Sequence, residues 1–513
     1  RYGIVATGKA YRDLRQALDL LGVDERRARA LGLAVYKVAM PWPLEPTGLA
    51  EFARGLERML VVEHKRPFME PQIKEQLYGW PGDARPRIWG KRTPEGEPFL
   101  SDLLELKTQD LVEALMGFVP ELREDEHVRT VAERMVMRSA WAAGHAEGGQ
   151  RTAYFCAGCP HSTSTKVPEG SRALPGIGCH AMTEINERTT DGQIAMGGEG
   201  ATWVGQAPFA RDDHVFANMG DGTYYHSGLL AIRQAVTAGV PITYKILFND
   251  AVAMTGGQTV EGGLDVPAIT RQLEAEGVGR VVLVSERPHL YEGRHDVARS
   301  VPVVHRDELG PVEEELAAYP GVSAIVYDQT CAAEKRRRRK KGDYEDPDLR
   351  LFINKRVCEG CGDCSVQSNC IAVEPVATDF GEKRVINQSA CNKDYSCVKG
   401  FCPSFAWVEG AALAKADTGA AFDADAMAAR LPRPDPVALE GTHNVLVTGI
   451  GGYGVTTVAA VLAMAGHVDG INASTLDMTG LAQKNGPVTS HLRFAPAGRD
   501  IEGPRVPPAA LDT

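Results

Sequence analysis

Residues 220–258, GDGTYYHSGLLAIRQAVTAGVPITYKILFNDAVAMTGGQ, decide how this chain is read. An apolar run ending in Asn218-Met219-Gly220 reads as a buried strand, and Gly220 and Gly222 let the backbone turn tightly around Asp221. From Leu229 to Ala238 the apolar residues recur at helical spacing. Gly239 and Pro241 stop that run, and Ile242 to Phe248 is a second apolar strand ending in Asn249. Strand, helix and strand in this order imply a right-handed crossover. Asp221 and Asn249 then stand side by side at the carboxyl ends of neighbouring parallel strands, where open α/β sheets take their ligands. Two hard oxygen donors there suit Mg²⁺ carrying a diphosphate. The plain alternative is an ordinary Asp-Gly turn and a loop asparagine.

The spacing of Gly-Asp-Gly, 26 residues and Asn resembles the thiamine-diphosphate fingerprint. The trailing Thr255-Gly256-Gly257-Gln258 narrows the resemblance to the 2-oxoacid:ferredoxin oxidoreductases. It implies that Gly220, Asp221, Gly222, Asn249, Ala251 and Thr255, Gly256, Gly257, Gln258 line the cofactor. Asp221 and Asn249 would be side-chain ligands of Mg²⁺, with a carbonyl near Ala251 as the third.

The rest of the chain sets the bounds. Its 513 residues call for three or four domains, and 43% hydrophobic residues suffice for packed cores. No basic leader with an apolar stretch and no run of about 18 apolar residues is present, so a cytoplasmic location without a membrane partner is expected. A net charge of -11 argues against nucleic-acid binding. Eleven cysteines in so long a chain favour metal or cluster ligands over disulfides. The chain starts without Met and stops within a domain that has barely opened, and is expected to be a fragment.

In order, residues 1–118 alternate strands and helices. Their motifs GIVATGKAYRDLRQAL, YKVAMPWPLEP and RMLVVEHKRPFMEPQIKEQL resemble the transketolase carboxy-terminal-like domain of the same family. Glu63 and His64 at a strand end read as structural. Residues 119–345 form the expected diphosphate-binding domain, 346–412 an iron–sulfur module, 413–442 an Ala/Asp/Pro-rich linker and 443–513 the opening of a gamma-type domain. That opening, GIGGYGVTT after a strand, is by itself a weak dinucleotide signal. The fold class is multidomain α/β: a doubly wound parallel sheet plus a small ferredoxin-like α+β module.

Cys156-Ala-Gly-Cys159-Pro-His161 precedes Gly178-Cys179-His180. A lone CxxC has several readings, a redox dithiol among them. The resemblance implies a proximal 4Fe-4S cluster on Cys156, Cys159, Cys179 and Cys331, against structural or substrate-facing cysteines. Met196-Gly-Gly-Glu199-Gly200 reads as a loop beside a large charged ligand. Glu199, His161, His180 and His226 are candidates for binding a substrate carboxylate or moving protons; hydrogen-bonded structural groups are the alternative.

Further on, Cys358-x2-Cys361-x2-Cys364 with Cys402-Pro403 follows bacterial ferredoxin spacing, three ligands from one run and the fourth from the other. These four are assigned to one 4Fe-4S cluster. The second would use Cys370, Cys391 and Cys397, with Asp394 where a middle Cys is expected; Asp394 is either a ligand or stands beside an easily lost iron, giving 4Fe-4S or 3Fe-4S. Zinc is the structural alternative. The run KRRRRKK, Lys335 to Lys341, reads as a solvated linker or as a basic patch steering an acidic ferredoxin.

The resemblance spans nearly the whole chain and points to the indolepyruvate ferredoxin oxidoreductases. It implies oxidative decarboxylation of a 2-oxoacid, an aryl pyruvate such as indolepyruvate, to an acyl-CoA. Coenzyme A would take the acyl group and ferredoxin the electrons. A homo-oligomer, at least a dimer, is expected. A pyrimidine-binding domain carrying a catalytic glutamate would precede Arg1. The alternatives are an electron-transfer subunit with a vestigial thiamine site and a non-oxidative thiamine-dependent decarboxylase.

Overall fold

The structure, a computed structural model, describes all residues except 145–151, 186–188, 261, 414–422, 433–437, 483–484 and 508–509. Of the linker expected at 413–442, residues 414–422 and 433–437 lie outside the described residues, and between them Ala424–Ala428 is a short helix. The chain forms two compact units, residues 152–432 with 481–486, and residues 1–151 with 433–480 and 487–513.

The first of these is built on a six-stranded, wholly parallel sheet. Its strands run in the spatial order Ala173–Leu174, Val215–Gly220, Ile242–Phe248, Val322–Asp328, Arg280–Ser285 and Val303–His305. A parallel sheet must be covered on both faces, and here it is. Ile232 and Ala235 of helix Leu229–Ala238 and Val266, Ile269 and Leu273 of helix Val266–Ala275 pack on one face. Leu309, Val312 and Leu316 of helix Leu309–Ala317 pack on the other, against Leu247, Val282, Val284 and Ile325.

The expected crossover is present. Helix Leu229–Ala238 ends on Gly239, whose φ of 66° is the left-handed turn glycine permits. Val215–Gly220 and Ile242–Phe248 are parallel neighbours with Gly220 opposite Leu247. Between them, Tyr224–Gly228 forms a π-helical turn, a wound-out segment that often lies at a functional site. The second strand is not purely apolar. Lys245 is fully buried, donating to the Lys166 carbonyl at 2.7 Å and pairing with Glu313 of the covering helix.

The ferredoxin-like part of this unit pairs Leu349–Ile353 with Phe405–Glu409 and Val373–Thr378 with Gly381–Ile386, both antiparallel, around helix Asp363–Ser368. The basic run between sheet and module is not a solvated linker. It is most of helix Ala332–Lys341. Lys335 is 4% exposed and donates to both Glu286 oxygens at 2.8 Å. Arg337 donates to the Gly256 carbonyl, Arg338 to Asp250, Arg336 to the Ser389 carbonyl and Arg339 to the Asn392 carbonyl. Most of the run therefore fastens the Asp250–Gly256 loop and the second cysteine run to one helix; Lys340 and Lys341 remain exposed.

The other unit holds a four-stranded parallel sheet in the order Leu33–Val38, Tyr2–Thr7, Arg58–Val62 and Arg87–Trp89. Glu63 accepts backbone N–H bonds from Phe68, Met69 and Glu70 and so caps the start of helix Met69–Leu77, a structural task. The segment from His443 adds three antiparallel strands, His443–Ile450, Pro487–Ala495 and Asn472–Met478, beside helix Val455–Val468. Among the described residues no helix is long and apolar enough to cross a membrane.

Candidate functional site

Strand Val215–Gly220 delivers Asp221 to the carboxyl edge of the sheet, and Ile242–Phe248 delivers Asn249 beside it. Both side chains are buried. Asp221 accepts the backbone N–H of Asn249 at 2.9 Å, of Asp250 at 3.0 Å and of Gly222 at 2.8 Å. Burial nonetheless raises its pKa to about 6, against the pull of those three donors and with some help from the Asp250 charge. A carboxylate held at this cost is stabilised by a cation. Asn249 supplies the second donor: its Oδ1 is buried without a hydrogen-bond partner. Such an orphan is costly unless a ligand completes it. Asp221 and Asn249 thus fit Mg²⁺.

Two more orphans lie nearby. Both side-chain atoms of Asn218, two residues before Gly220, and Nε2 of His180 are buried without partners. Asn218 escaped sequence reasoning, though a polar residue inside an apolar strand was the available signal. Burial pulls the His180 pKa down to about 4, so the ring is neutral. It lies edge-on to His161, with centroids 5.6 Å apart, and His161 Nε2 is 3.5 Å from Asn249 Nδ2. Glu199 is 1% exposed, accepts N–H bonds from Gly197 at 2.7 Å and Ile177 at 3.5 Å, and its pKa is raised by burial. A Cβ on Gly176 would come within 2.6 Å of His180 Nε2, 3.1 Å of Glu199 Cγ and 2.4 Å of the Asn218 carbonyl. His161, His180 and Glu199 thus form one buried group, with the Asn218 main chain alongside and His180 Cε1 3.3 Å from where a Cβ on Gly220 would stand. His226 is not part of it: it is exposed on the π-helical turn, 3.1 Å from Ser227 Oγ.

Ala251 is buried, whereas the Thr255–Gln258 loop closes on itself at the surface. Thr255 Oγ1 donates to Gln258 Oε1 at 2.7 Å, and Val252 N–H to the Gln258 carbonyl at 2.8 Å. Gly256 and Gly257 have φ of 123° and 86°. Helix Ala332–Lys341 leaves no room for a Cβ on Gly257, which would overlap Glu334.

The cysteines fall into three sets. Cys156, Cys159, Cys179 and Cys331 line a single small cavity, and Asn249 and His161 line the same cavity. Cys370, Cys391, Cys397 and Asp394 line a second, which Gly158 of the CxxC loop also borders. Cys358 and Cys364 are buried in the core of the module, Cys361 is exposed, and the Cys402 thiol lies 2.9 Å from Ser404 Oγ. Burial raises the Cys364 thiol, and Cys358 and Cys402 raise it further. Burial, then Cys370, Cys391 and Cys364, push Cys397 up to about 12. Thiols crowded in this way lose their protons together only around a cationic group, which fits iron–sulfur clusters. Among the described residues no three His, Cys, Asp or Glu side chains converge as a ready single-ion site. Asp394 Oδ1 takes N–H bonds from Arg306 at 2.6 Å and Gln329 at 2.9 Å, and Oδ2 takes the Ser396 hydroxyl.

Three family profiles match the chain: an indolepyruvate oxidoreductase domain over residues 1–140, a thiamine pyrophosphate enzyme C-terminal TPP-binding domain over 176–278, and pyruvate ferredoxin/flavodoxin oxidoreductase over 444–513. Indolepyruvate oxidoreductase subunit IorA of Thermococcus kodakarensis is 26% identical over 394 residues, 73% of this chain and 55% of that protein. The chain therefore spans about half the length of the curated relatives it matches. Subunit IorB of Archaeoglobus fulgidus is 33% identical over 69 residues, 14% of this chain and 32% of that subunit. Among solved structures, a 2-oxoglutarate:ferredoxin oxidoreductase from Magnetococcus marinus matches 36% of this chain and 66% of its own, at 16% identity and a TM-score of 0.28. The chain thus joins, in one sequence, likeness to an indolepyruvate oxidoreductase domain, a thiamine pyrophosphate-binding domain and a pyruvate ferredoxin/flavodoxin oxidoreductase domain.

Proposed function

We propose that this chain is the cofactor-bearing part of an enzyme that oxidatively decarboxylates a 2-oxoacid, an aryl pyruvate such as indolepyruvate, to an acyl-CoA and passes the electrons to ferredoxin. Thiamine diphosphate, when bound, supplies the electron sink for decarboxylation. Asp221 and Asn249 would hold its Mg²⁺, with the backbone near Ala251 as a third donor. The buried group of His161, His180 and Glu199, with Asn218 alongside, would exclude water and donate hydrogen bonds. Neutral His180 and a Glu199 with raised pKa are each suited to holding or moving a proton there. Coenzyme A, ferredoxin and a homo-oligomeric assembly belong to this proposal. Likeness to both an A and a B subunit within one chain supports a fused arrangement.

One observation carries the oxidative reading over a non-oxidative one. The cavity lined by Cys156, Cys159, Cys179 and Cys331 is also lined by Asn249, so an electron acceptor would abut the diphosphate site. The test uses anaerobically purified full-length protein with thiamine diphosphate, Mg²⁺ and coenzyme A. Adding indolepyruvate should bleach the cluster absorbance and produce a reduced-cluster EPR signal. Product formed without bleaching would favour a simple decarboxylase; no reaction with any 2-oxoacid would favour an electron carrier with a vestigial thiamine site.

A further inference from the structure

Asp394 occupies the place of the middle cysteine in Cys391-x2-Asp394-x2-Cys397, yet its carboxylate is committed elsewhere. A carboxylate offers about four lone-pair positions, two on each oxygen. Three of the four are taken: both on Oδ1, by Arg306 Nη1 at 2.6 Å and Gln329 Nε2 at 2.9 Å, and one on Oδ2, by the Ser396 hydroxyl. Arg306 grips the main chain as well, through Nη2 to the Asp394 carbonyl at 2.7 Å. The two side chains are 8% and 12% exposed. Lys393 and Tyr395, on either side of Asp394, have φ of 53° and 61°. Non-glycine residues adopt this region only where the surroundings hold them, so the turn is fixed with Asp394 directed at the sheet.

Turning this carboxylate away from Arg306 and Gln329 toward iron would leave the guanidinium buried without its counter-ion, a costly state. Iron in a sulfide cluster would gain a hard oxygen where its neighbours are soft thiolates, a poor exchange. We infer that Asp394 is not an iron ligand: it is a positioning residue that pins the second cysteine run to Arg306 and Gln329, and the site beside it takes an iron–sulfur cluster on three protein thiolates, Cys370, Cys391 and Cys397. The inference rests on the iron–sulfur reading of these cysteines. It leaves the fourth corner of the cluster without a protein ligand. The pinning has a second effect, because Gly158 of the CxxC loop borders the same cavity and its absent Cβ would lie 2.9 Å from Asp394 Cβ. Asp394 therefore fixes where the three-thiolate site stands relative to Cys156 and Cys159.

The test compares the wild-type protein with Asp394→Asn, both purified anaerobically as the full-length protein. Iron and acid-labile sulfide per chain and the EPR spectra of oxidised and reduced samples should be unchanged. The unfolding temperature should fall by roughly 5 °C, the mark of a buried pair broken on one side. Loss of iron or an altered spectrum in folded Asp394→Asn would overturn the inference. Should that variant not fold, electron–nuclear double resonance of wild-type protein carrying ¹³C-carboxyl aspartate decides: no carbon coupling of bonded size is expected, and its presence would show the carboxylate on iron. Wild-type protein without iron or sulfide would bring down both this inference and the iron–sulfur reading, whereas normal wild-type clusters with a changed variant would bring down the inference alone.

Discussion

The carboxyl edge of the thiamine-binding sheet and the junction with the cysteine module are both buried and both polar, but they handle their polar groups in opposite ways. At the edge, Asn249 Oδ1, His180 Nε2 and the Asn218 amide have no partners. At the junction, Asp394 is bonded through both oxygens, Lys335 reaches both oxygens of Glu286, and Arg338 meets Asp250. Burial taxes a polar group in either place. Where the chain itself supplies the partner, the group is architecture; the groups at the edge are the ones placed to meet a bound diphosphate and its Mg²⁺.

This contrast can be broken by substitution. Asp221→Asn should have the largest effect, because it removes a ligand charge from the open edge. Thiamine diphosphate affinity with Mg²⁺, measured by calorimetry, should fall by more than the 10- to 100-fold typical of losing an outer partner, which is on the order of 100-fold or more. Binding within threefold of wild type would mean Asp221 is architecture after all. Next is Cys159→Ser. It should cost about four iron atoms per chain, one cluster, and leave thiamine diphosphate binding intact. Unchanged iron would separate the Cys156/Cys159/Cys179/Cys331 cavity from cluster chemistry.

At the saturated junction the expected losses are of stability, not of binding. Lys335→Met strands Glu286 and should destabilise by about 3 kcal/mol, read by denaturant unfolding, with cofactor affinity unmoved. An equal loss of affinity would show that the two regions are not distinct. The smallest effect is a control away from both. Burial pulls the His214 pKa from 6.5 down to about 4. Between those values the unfolded chain binds a proton that the folded chain refuses. The contribution to stability is therefore complete above about pH 6.5 and is lost as pH falls toward 4. His214→Gln should weaken the pH dependence of the unfolding temperature in that window, which His180 shares, and leave it unchanged above pH 7.

The open edge was legible in the sequence because its signals are local. Gly220 and Gly222 flank Asp221, and Gly239 and Pro241 punctuate the crossover, so periodicity alone fixes strand, helix and strand. The junction was not legible. The partners of KRRRRKK lie far along the chain: Arg337 finds Gly256, 81 positions back, and Arg339 finds Asn392, 53 positions on. Read as a string, seven positive charges in a row indicate water. Asp394 is similar, since Arg306 is 88 positions away and nothing beside Asp394 in sequence announces it. Lys245 in a buried strand is the same lesson on a smaller scale, its counter-ion lying on a helix 68 positions later. The histidines divide on this line too, with His161 and His180 drawn into the buried group and His226 left at the surface.

Gly158 sets a spacing. Its φ of 67° and the 2.9 Å at which an added Cβ would collide with Asp394 Cβ mean that only glycine lets the CxxC loop approach the Cys391–Cys397 run this closely. Any larger residue there would act as a shim. Gly158→Ala would push the Asp394 turn, and with it the cavity of Cys370, Cys391 and Cys397, away from the loop of Cys156 and Cys159, and because the Gly158 N–H also bonds the Cys370 thiol the shift would register there.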